Sequence, residues 1–303
     1  MLRFAILFLS VKLFILSAAS GQDLKVISSL EGFEFYEGNR PILTYIVKAN
    51  DEHKPYDRPH YIHPLYGLDG SVLTEDVPED HPHHHGVFTA WHQLLYKGEQ
   101  IGDTWLCENT EWEVESTSID EMEDQIVLHS AVDWMSKLDS SSSKEAVVRE
   151  EMELSIHKSV EGYRAIDFEF ILIPLVSDIA IGGSDNEKGY GGFNVRLKSP
   201  ENLIFNSEGE VNPENTAVQT KPWMDFIMKN ENAGVVVMVH PENPGEHDKW
   251  ILRNSKSMQN PVFPGREPVV LPSEGITLKY RVIVYDNTFD SSRIPYLYDG
   301  YKK

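Results

Sequence analysis

The stretch 163-YRAIDFEFILIPLV-176 decides the fold class of this 303-residue chain. Apolar side chains fall at every second position of its first half, and charged side chains lie between them. A period of two is that of an extended strand with one face in the core and one toward solvent. The stretch therefore predicts a half-buried β-strand, with two groups of side chains on opposite faces: Ile166, Phe168, Phe170 and Leu172 inward, and Asp167 and Glu169 outward.

The same alternation recurs in 276-ITLKYRVIVYD-286, and shorter runs of this kind follow one another along the chain. Clusters of Gly, Pro, Asn and Ser punctuate them, and no segment has a capped helical pattern longer than about two turns. The sequence predicts an all-β fold, a single large antiparallel β-sandwich with few short helices. The shorter predicted strands are 42–47, 86–96, 125–135, 147–157, 192–197 and 234–240.

Residues 1–21 have the pattern of a secretory signal peptide. Arg3 precedes an apolar run at 4–16, interrupted by Lys12, and small residues follow it at 18–20. We expect an exported protein, periplasmic or secreted, whose residues 22–303 form one β-sandwich domain. No run approaches the roughly 20 apolar residues that a membrane-spanning helix needs, so we expect no membrane span.

The formal net charge is −21, from 48 acidic and 27 basic residues. Nucleic acid and anionic membranes would be repelled by such a surface, which argues against both as partners. Cys107 is the only cysteine, so the chain has no intramolecular disulfide. We expect Cys107 to be a small buried side chain rather than a nucleophile. The sequence does not indicate an oligomeric state.

Seven of the twelve histidines lie in 58-RPHYIHPLYGLDGSVLTEDVPEDHPHHHGVFTAWH-92. An imidazole has an unperturbed pKa of about 6.5, which lets it donate, accept or bind a metal near neutral pH. Prolines and glycines interrupt the stretch, which predicts a long ordered loop between strands. Loops of this kind often carry binding and catalytic residues. This stretch is the predicted functional site.

Four separated motifs resemble the secreted PmoA-like family of bacteria, whose members are often labelled methane oxygenase: 58-RPHYIHPLYGLDG-70, 80-DHPHHHG-86, 188-KGYGGFNVRL-197 and 250-WILR-253. The resemblance implies a setting of polysaccharide degradation and a supersandwich fold similar to that of galactose mutarotase. A methane monooxygenase subunit would need several membrane-spanning helices, so that label does not carry over. Where the family often has arginine, this chain has His85, which weakens any role that needs a cation there.

His83 and His84 are the predicted general acid and base, with Asp80 or Glu79 fixing a tautomer. His81, His63 and Tyr61 are further candidates for the catalytic group, and each tyrosine of the loop is also compatible with ordinary packing at the edge of a sheet.

A metal site is the alternative for the same loop. His81, His83 and His85 alternate, so on an extended backbone they would point the same way and form part of a site for zinc, copper or iron. The preferred interpretation requires no cofactor, and it leaves a divalent metal open.

Five residues are predicted to contact the substrate: Arg58, Trp91, Arg196, Trp250 and Arg253. A guanidinium group suits a carboxylate or sulfate, and an indole ring suits the face of a sugar. Trp91 is equally compatible with the core, and Arg196 with a surface ion pair. We expect the histidine loop, the strand ending at Arg196 and the strand before Arg253 to converge on one concave face.

The sequence favours an exported carbohydrate-active enzyme that acts on poly- or oligosaccharides as a lyase, hydrolase or epimerase, with arginines binding an anionic sugar. Two alternatives remain, a non-catalytic carbohydrate-binding protein and a metal-dependent enzyme. Imidazoles concentrated in one loop favour an enzyme, since a binding module needs mainly aromatic rings and amides.

Overall fold

The computed structural model describes residues 23–198, 203–229, 233–254 and 258–303. The predicted signal peptide at 1–21 lies outside the described residues. Strands make up 52% of the structure. Among the described residues the short helices are two 3-10 helices, Asp51–His53 and Ser291–Arg293, and one α-helix, α1, Ile294–Tyr301. No helix in the described ranges is both long and apolar enough to cross a membrane.

The strands of the described residues are numbered in chain order. They are β1 Leu24–Ser28, β2 Gly32–Glu37, β3 Arg40–Ile46, β4 Tyr61–Leu65, β5 Val87–Trp91, β6 Gln93–Tyr96, β7 Glu99–Gly102, β8 Glu111–Glu121, β9 Gln125–Ser136, β10 Glu145–His157, β11 Tyr163–Pro174, β12 Ile179–Gly182, β13 Gly191–Val195, β14 Leu203–Asn206, β15 Glu210–Val211, β16 Val218–Gln219, β17 Trp223–Met228, β18 Ala233–Val239, β19 Lys249–Ile251, β20 Asn260–Pro261, β21 Val269–Val270 and β22 Ile276–Asp286.

Two large antiparallel sheets form the body of the fold. A six-stranded sheet has the order β1-β2-β3-β4-β5-β13, and a nine-stranded sheet has the order β15-β14-β17-β18-β22-β11-β10-β9-β8. Smaller sheets have the strand orders β21-β12-β6-β7 and β16-β19-β20, in which neighbouring strands are hydrogen-bonded. The predicted all-β fold is confirmed.

The core lies between the two large sheets. Phe193 of β13 stacks on Tyr280 of β22 with ring centroids 4.5 Å apart, and Phe168 of β11 meets Phe193 edge-on at 5.1 Å. Near another part of the same interface, Trp91 and Trp134 pack at 5.6 Å. These contacts join strands of opposite sheets, so the architecture is a β-sandwich.

The alternation predicted for β11 is confirmed. Its four predicted core side chains are all buried, whereas Asp167 and Glu169 are only partly covered. In β22 most of the alternating apolar side chains predicted to face the core are buried, but Ile283 and Tyr285 on the other face are also buried. The reason is a second, smaller core, because Phe289 and Ile294 near the C-terminus pack against this outer face. The two-turn helix that carries Ile294 gave no clear periodic signal in the sequence.

A buried carboxylate links the two large sheets. Glu150 of β10 accepts hydrogen bonds from Thr89 Oγ1 of β5 at 2.5 Å and from Trp134 Nε1 at 2.9 Å. The His60 Nε2 atom lies 3.3 Å from Glu150 Oε1, and Tyr45 Oη lies 2.6 Å from His60 Nδ1. Burial opposes ionisation of Glu150, but His60 and the hydrogen bonds outweigh it and lower the pKa of this carboxyl. The group therefore remains an anion inside the sandwich.

Asp225 is a second buried carboxyl, beside the smaller core. Its Oδ1 accepts a hydrogen bond from Tyr285 Oη at 2.7 Å, and no partner for Oδ2 is found among the described residues. Burial without a cation raises the pKa of Asp225 to about 6. The folded protein therefore favours the protonated form, whereas in an unfolded chain this carboxyl has its usual pKa near 4.

We expect the native protein to lose stability between pH 4 and pH 7 as Asp225 ionises, and we expect Asp225→Asn to remove this loss. The folded state binds the Asp225 proton more tightly than the unfolded state, so this group contributes most below about pH 4, and its contribution is lost as the pH rises through about 6. The difference should be on the order of 2–3 kcal/mol. Urea unfolding of both proteins at pH 4, 5, 6 and 7 measures it. Parallel stability curves would contradict the prediction.

Candidate functional site

Arg196, just beyond the end of β13, holds the loop that joins β4 to β5. Its guanidinium group is buried, with Nε donating to Glu75 Oε2 at 3.0 Å and Nη2 donating to Asp80 Oδ1 at 3.3 Å. The backbone adds two bonds, from Arg196 N to Gly86 O and from Glu75 N to Arg196 O. Two carboxylates thus neutralise Arg196. The predicted role of Arg196 as a clamp for an anionic substrate is wrong, because its charge is already paired inside the protein.

His84 is the third partner of Arg196. Arg196 Nη1 donates to His84 Nδ1 at 3.2 Å, which places the imidazole proton of the neutral ring on Nε2. The ring is buried, and burial together with His83 and Arg196 lowers the pKa of His84 far below its usual value. His84 therefore does not fit the predicted role of general acid or base. It is a neutral ring that helps to hold the loop.

The loop turns sharply around the histidines. His81 N donates to Pro78 O at 3.0 Å, and His84 N donates to His81 O at 2.9 Å. This turn stacks the rings of His81 and His84 at 4.7 Å with an interplanar angle of 10°. His83 then meets His84 edge-on at 4.6 Å. The prediction that His81, His83 and His85 point the same way assumed an extended backbone. The turn replaces that backbone, so the three side chains do not share one direction.

His85 points into the protein, away from His81 and His83. It is fully buried, its Nδ1 lies 2.7 Å from Asp76 Oδ1, and its ring packs on Tyr61 at 4.4 Å. Burial lowers the pKa of His85 despite the neighbouring carboxylate. Within the described residues, no group of three or more His, Cys, Asp or Glu side chains could hold a metal ion. His81, His83 and His85 therefore do not form the predicted metal-binding set.

Tyr61 and His63 lie on the supporting side of the loop. Tyr61 is buried, its hydroxyl donates to Asp76 Oδ2 at 3.1 Å, and burial raises its pKa. His63 Nδ1 lies 3.0 Å from Thr74 Oγ1, and burial lowers the pKa of His63. Both side chains hold the loop strands together. Tyr61 in particular is too deeply placed for its predicted role as a proton donor to substrate.

His83 and His81 are the partly exposed imidazoles of the loop. Burial, followed by the neighbouring His81 and His92, lowers the pKa of His83 to about 4. His83 is consequently neutral near pH 7 and has a free lone pair to accept a hydrogen bond or a proton. The His81 Nδ1 atom lies 2.9 Å from Asp80 Oδ2, so the carboxylate that binds Arg196 also orients His81.

A carboxylate–imidazole pair next to this loop was not predicted. His92 Nδ1 lies 2.9 Å from Asp103 Oδ2, and Asp103 Oδ1 accepts the backbone N–H groups of Trp105 and Leu106 at 2.8 Å. A carboxylate at Nδ1 fixes the proton there and leaves Nε2 as the acceptor. His92 is partly exposed and stacks on Trp105 at 5.0 Å. No spacing pattern links His92 with Asp103, since the partner comes from beyond β7.

Trp105 is the buried centre that joins His92 to two further residues. Its ring lies 6.0 Å from His84 and 5.4 Å from Tyr190. Arg253 Nε donates to Tyr190 Oη at 2.8 Å, and its other N–H groups donate to backbone carbonyls. Unlike Arg196, Arg253 has no carboxylate within 4 Å in the described part of the chain. We call the partly exposed set His81, His83, His92, Tyr190 and Arg253 the histidine surface.

The three predicted segments therefore do meet. Arg196 contacts the loop directly, and Arg253 reaches it through Tyr190 and Trp105. The glycines before Arg196 permit close packing of β13 on its neighbours: Gly192 has a φ of +109°, and a Cβ on Gly191 would lie 2.9 Å from Gly183 Cα. Tyr190, within the same glycine-rich motif, was not among the predicted site residues.

Three predicted substrate-binding residues are interior. Trp91 and Trp250 are fully buried, and their indole N–H groups donate to Phe263 O and Lys221 O, both at 2.8 Å. Arg58 is 2% exposed. Its guanidinium lies between two rings, 5.0 Å from Phe88 and 4.4 Å from Trp112. The predictions for Trp91, Trp250 and Arg58 are wrong, because none of these side chains reaches a surface where substrate could bind.

The fold and the site define an all-β sandwich protein with a histidine-lined surface built on loops between its strands. The chain belongs to the family of unknown function DUF6807, whose profile matches residues 33–299. No curated protein matches the chain.

The chain is similar to the heparan sulfate lyase HepC of Pedobacter heparinus, with 8% identity and a TM-score of 0.40 over 89% of this chain. A mutant of that lyase gives 9% identity and a TM-score of 0.39 over 88% of this chain. This chain spans only 36% of the length of either lyase structure. A likeness of this size carries no argument about activity.

We expect Arg196→Met to destabilise the loop far more than a surface arginine variant does. The change leaves Glu75 and Asp80 without their shared cation and His84 without its donor, at a cost of about 1–3 kcal/mol. Arg266→Met, which breaks an exposed pair with Asp185, is the matched control and should cost about 0–1 kcal/mol. Urea unfolding gives both values, and hydrogen exchange should show lost protection at 75–86 in Arg196→Met alone. Equal effects of the two changes would contradict this account of the loop.

Proposed function

We propose that this protein is a carbohydrate-active enzyme that acts on poly- or oligosaccharides by general acid–base chemistry at the histidine surface. One observation carries the proposal. The carboxylate-held His92 and Tyr190 both contact the buried Trp105 ring, and the neutral His83 meets the same ring through His84. Tyr190 in turn binds Arg253, which has no carboxylate partner among the described residues. Proton acceptors, a proton donor and a cation thus occur together, and a packed core has no need of this set.

His92 is the proposed proton acceptor, because Asp103 holds its ring. The Asp103 carboxylate at Nδ1 would stabilise the imidazolium that forms when Nε2 takes a proton, as in other carboxylate–imidazole pairs. His83 is a weak base, because its pKa of about 4 lies well below neutral pH. In this proposal His83 accepts a hydrogen bond from a sugar hydroxyl and positions the substrate, whereas His92 moves the proton.

Tyr190 is the proposed proton donor. Its oxygen accepts the Arg253 Nε–H group, so the phenolic proton is free to be given to another oxygen. The guanidinium charge would stabilise the negative charge that develops on the tyrosine as the proton leaves. For a hydrolase or lyase, the acceptor is the oxygen of the bond that breaks, and for an epimerase it is the ring carbon from which His92 has removed a proton.

Selectivity for an anionic sugar would rest on Arg253. Arg58 and Arg196 are buried, so Arg253 is the arginine of the predicted set that remains for a carboxylate or sulfate of the substrate. With a uronate, Arg253 would neutralise the carboxylate and lower the barrier to removing the adjacent proton. With a neutral sugar it would act as a hydrogen-bond donor. The net charge of −21 makes such a local cation necessary for an anionic substrate.

A carbohydrate-binding protein without catalytic activity is the second candidate. It is favoured by the number of loop histidines in supporting contacts, since His84 binds Arg196 and His85 contacts Asp76. In that case the surface would bind sugars through Tyr190 and hydrogen bonds alone. Export and membership of the PmoA-like family remain predictions that rest on residues 1–21 and on the four sequence motifs.

We expect His92→Gln and Tyr190→Phe each to lower kcat/KM by about 10²–10⁴ on a substrate found in a panel of acidic and neutral oligosaccharides. Mass change and the absorbance of unsaturated products report turnover, with and without a chelator. His129→Gln is the control, because His129 is partly exposed and lies on β9 of the nine-stranded sheet. Turnover that survives both site variants would contradict the mechanism. Binding of a panel member without turnover would favour the binding protein, and loss of activity with chelator would require a metal.

We expect Arg253→Gln to lower kcat/KM for a uronate-containing substrate by at least tenfold more than for its neutral counterpart. The charge is lost, but glutamine keeps a donor that can reach Tyr190. Arg149→Gln, a change of equal charge at a distant ion pair, should leave the ratio of the two rates unchanged. An equal loss on both substrates would show that Arg253 has no part in recognising an anion.

A further inference from the structure

Two loops that contact the histidine surface, 54–59 and 103–109, also form a wall of a cavity. In the first loop Tyr56 contacts His83 at 5.7 Å, while its neighbours Pro55 and Asp57 line the cavity. In the second loop Trp105 lies under the histidine surface, and Asn109 lines the cavity. The cavity has a volume of about 580 Å³. Sites for organic ligands usually have volumes in this range.

The cavity lining offers donors and acceptors in near balance. Asp57, Glu111 and Glu113 supply carboxylates, and Lys54 and Lys144 supply ammonium groups. Lys144 pairs with Glu111 at 2.5 Å, and Lys54 pairs with Asp51 at 2.6 Å. The surface is polar and carries no dominant positive charge. It suits an uncharged ligand with many hydroxyl groups, because each hydroxyl both donates and accepts.

One buried donor of the cavity lining, the indole N–H of Trp112, has no partner among the described residues. Trp112 is 9% exposed. Buried polar groups are nearly always bonded to protein, water or a ligand, so such atoms mark places where bonding is completed from outside the chain.

A second cavity continues the first. It has a volume of about 560 Å³ and shares Asn109 and Lys144 with its neighbour. Gln100, Lys137 and Ser140 extend the polar lining. The two cavities form a groove along β8 and the loop after β9, which we call the side groove. The volumes of its two cavities exceed what a single sugar unit would fill.

We propose that the side groove binds successive sugar units of a saccharide chain whose reacting unit lies at the histidine surface. The inference rests on the proposed function, and it names the substrate as a chain of several units, with uncharged, hydroxyl-rich units in the groove. The wall shared by the loops at 54–59 and 103–109 connects the two sites. A chain that crosses this wall would contact Tyr56 and Asn109 on its way.

Ala49→Phe tests the groove, because Ala49 lines the first cavity and a phenyl ring would occupy part of its volume. Ala165→Phe is the matched control, at a cavity of about 430 Å³ lined by Tyr163 and Arg281, which has no residue in common with the side groove. Hexasaccharides and disaccharides of β-glucan, mannan, xylan and polygalacturonate are the probes. Isothermal titration calorimetry measures binding to both variants and to the native protein, after melting curves show that both variants are folded.

We expect at least one hexasaccharide to bind the native protein at least tenfold more tightly than its disaccharide, and Ala49→Phe to abolish that difference while Ala165→Phe keeps it. Equal affinity for both lengths, an unaltered preference in Ala49→Phe, or no binding by any probe would overturn the proposal. The proposed function fails separately. If Ala49→Phe abolishes the preference for the hexasaccharide and Ala165→Phe keeps it, but no probe is turned over, the side groove binds saccharide chains and the histidine surface is not catalytic.

Discussion

The buried guanidinium of Arg196 determines how the histidine loop is arranged. A cation with 2% exposure is costly unless its hydrogen-bonding groups are satisfied, and Arg196 reaches Glu75, Asp80 and His84 at once. Each partner belongs to the loop between β4 and β5, whereas Arg196 follows β13, the strand that pairs with β5. One side chain therefore ties an irregular segment to the regular sheet. Without it the two carboxylates would repel each other and the turn at the histidines would lose its anchor.

The same interaction divides the histidines by role. His84 becomes a neutral, buried ring, and Asp80 is shared between Arg196 and His81, so His81 and His83 are left facing outward. Trp105 then connects this group to His92 and Tyr190. The carboxylates of Glu75, Asp76, Asp80 and Asp103 are engaged with Arg196, with imidazoles or with backbone N–H groups. A local surface suited to proton transfer therefore exists within a strongly acidic protein.

The fold could be predicted because it depends on local periodicity. Period two in β11 and β22 fixes which residues face the core, and that does not require knowledge of partners. The position of the site could be predicted from the sequence, but the roles of its histidines could not. Arg196 and His84 are 112 residues apart in sequence, and this contact decides which imidazoles are buried. Similarly, Glu150 and Glu151 are adjacent, but only Glu150 is buried with His60 between the sheets. Trp91, Trp250 and Arg58 look like ligand-binding residues by type, and only packing shows that they belong to the interior.

Long-range ¹H–¹⁵N spectra of the histidine rings, recorded from pH 8 down to pH 3.5, test this account of the site most directly. Single His→Gln variants assign the signals of His83 and His84. We expect His84 to remain neutral with its proton on Nε2 throughout, because Arg196 occupies Nδ1, and His83 to protonate only near pH 4. Protonation of His84 between pH 5 and pH 7, or a proton on its Nδ1, would contradict the central role of Arg196.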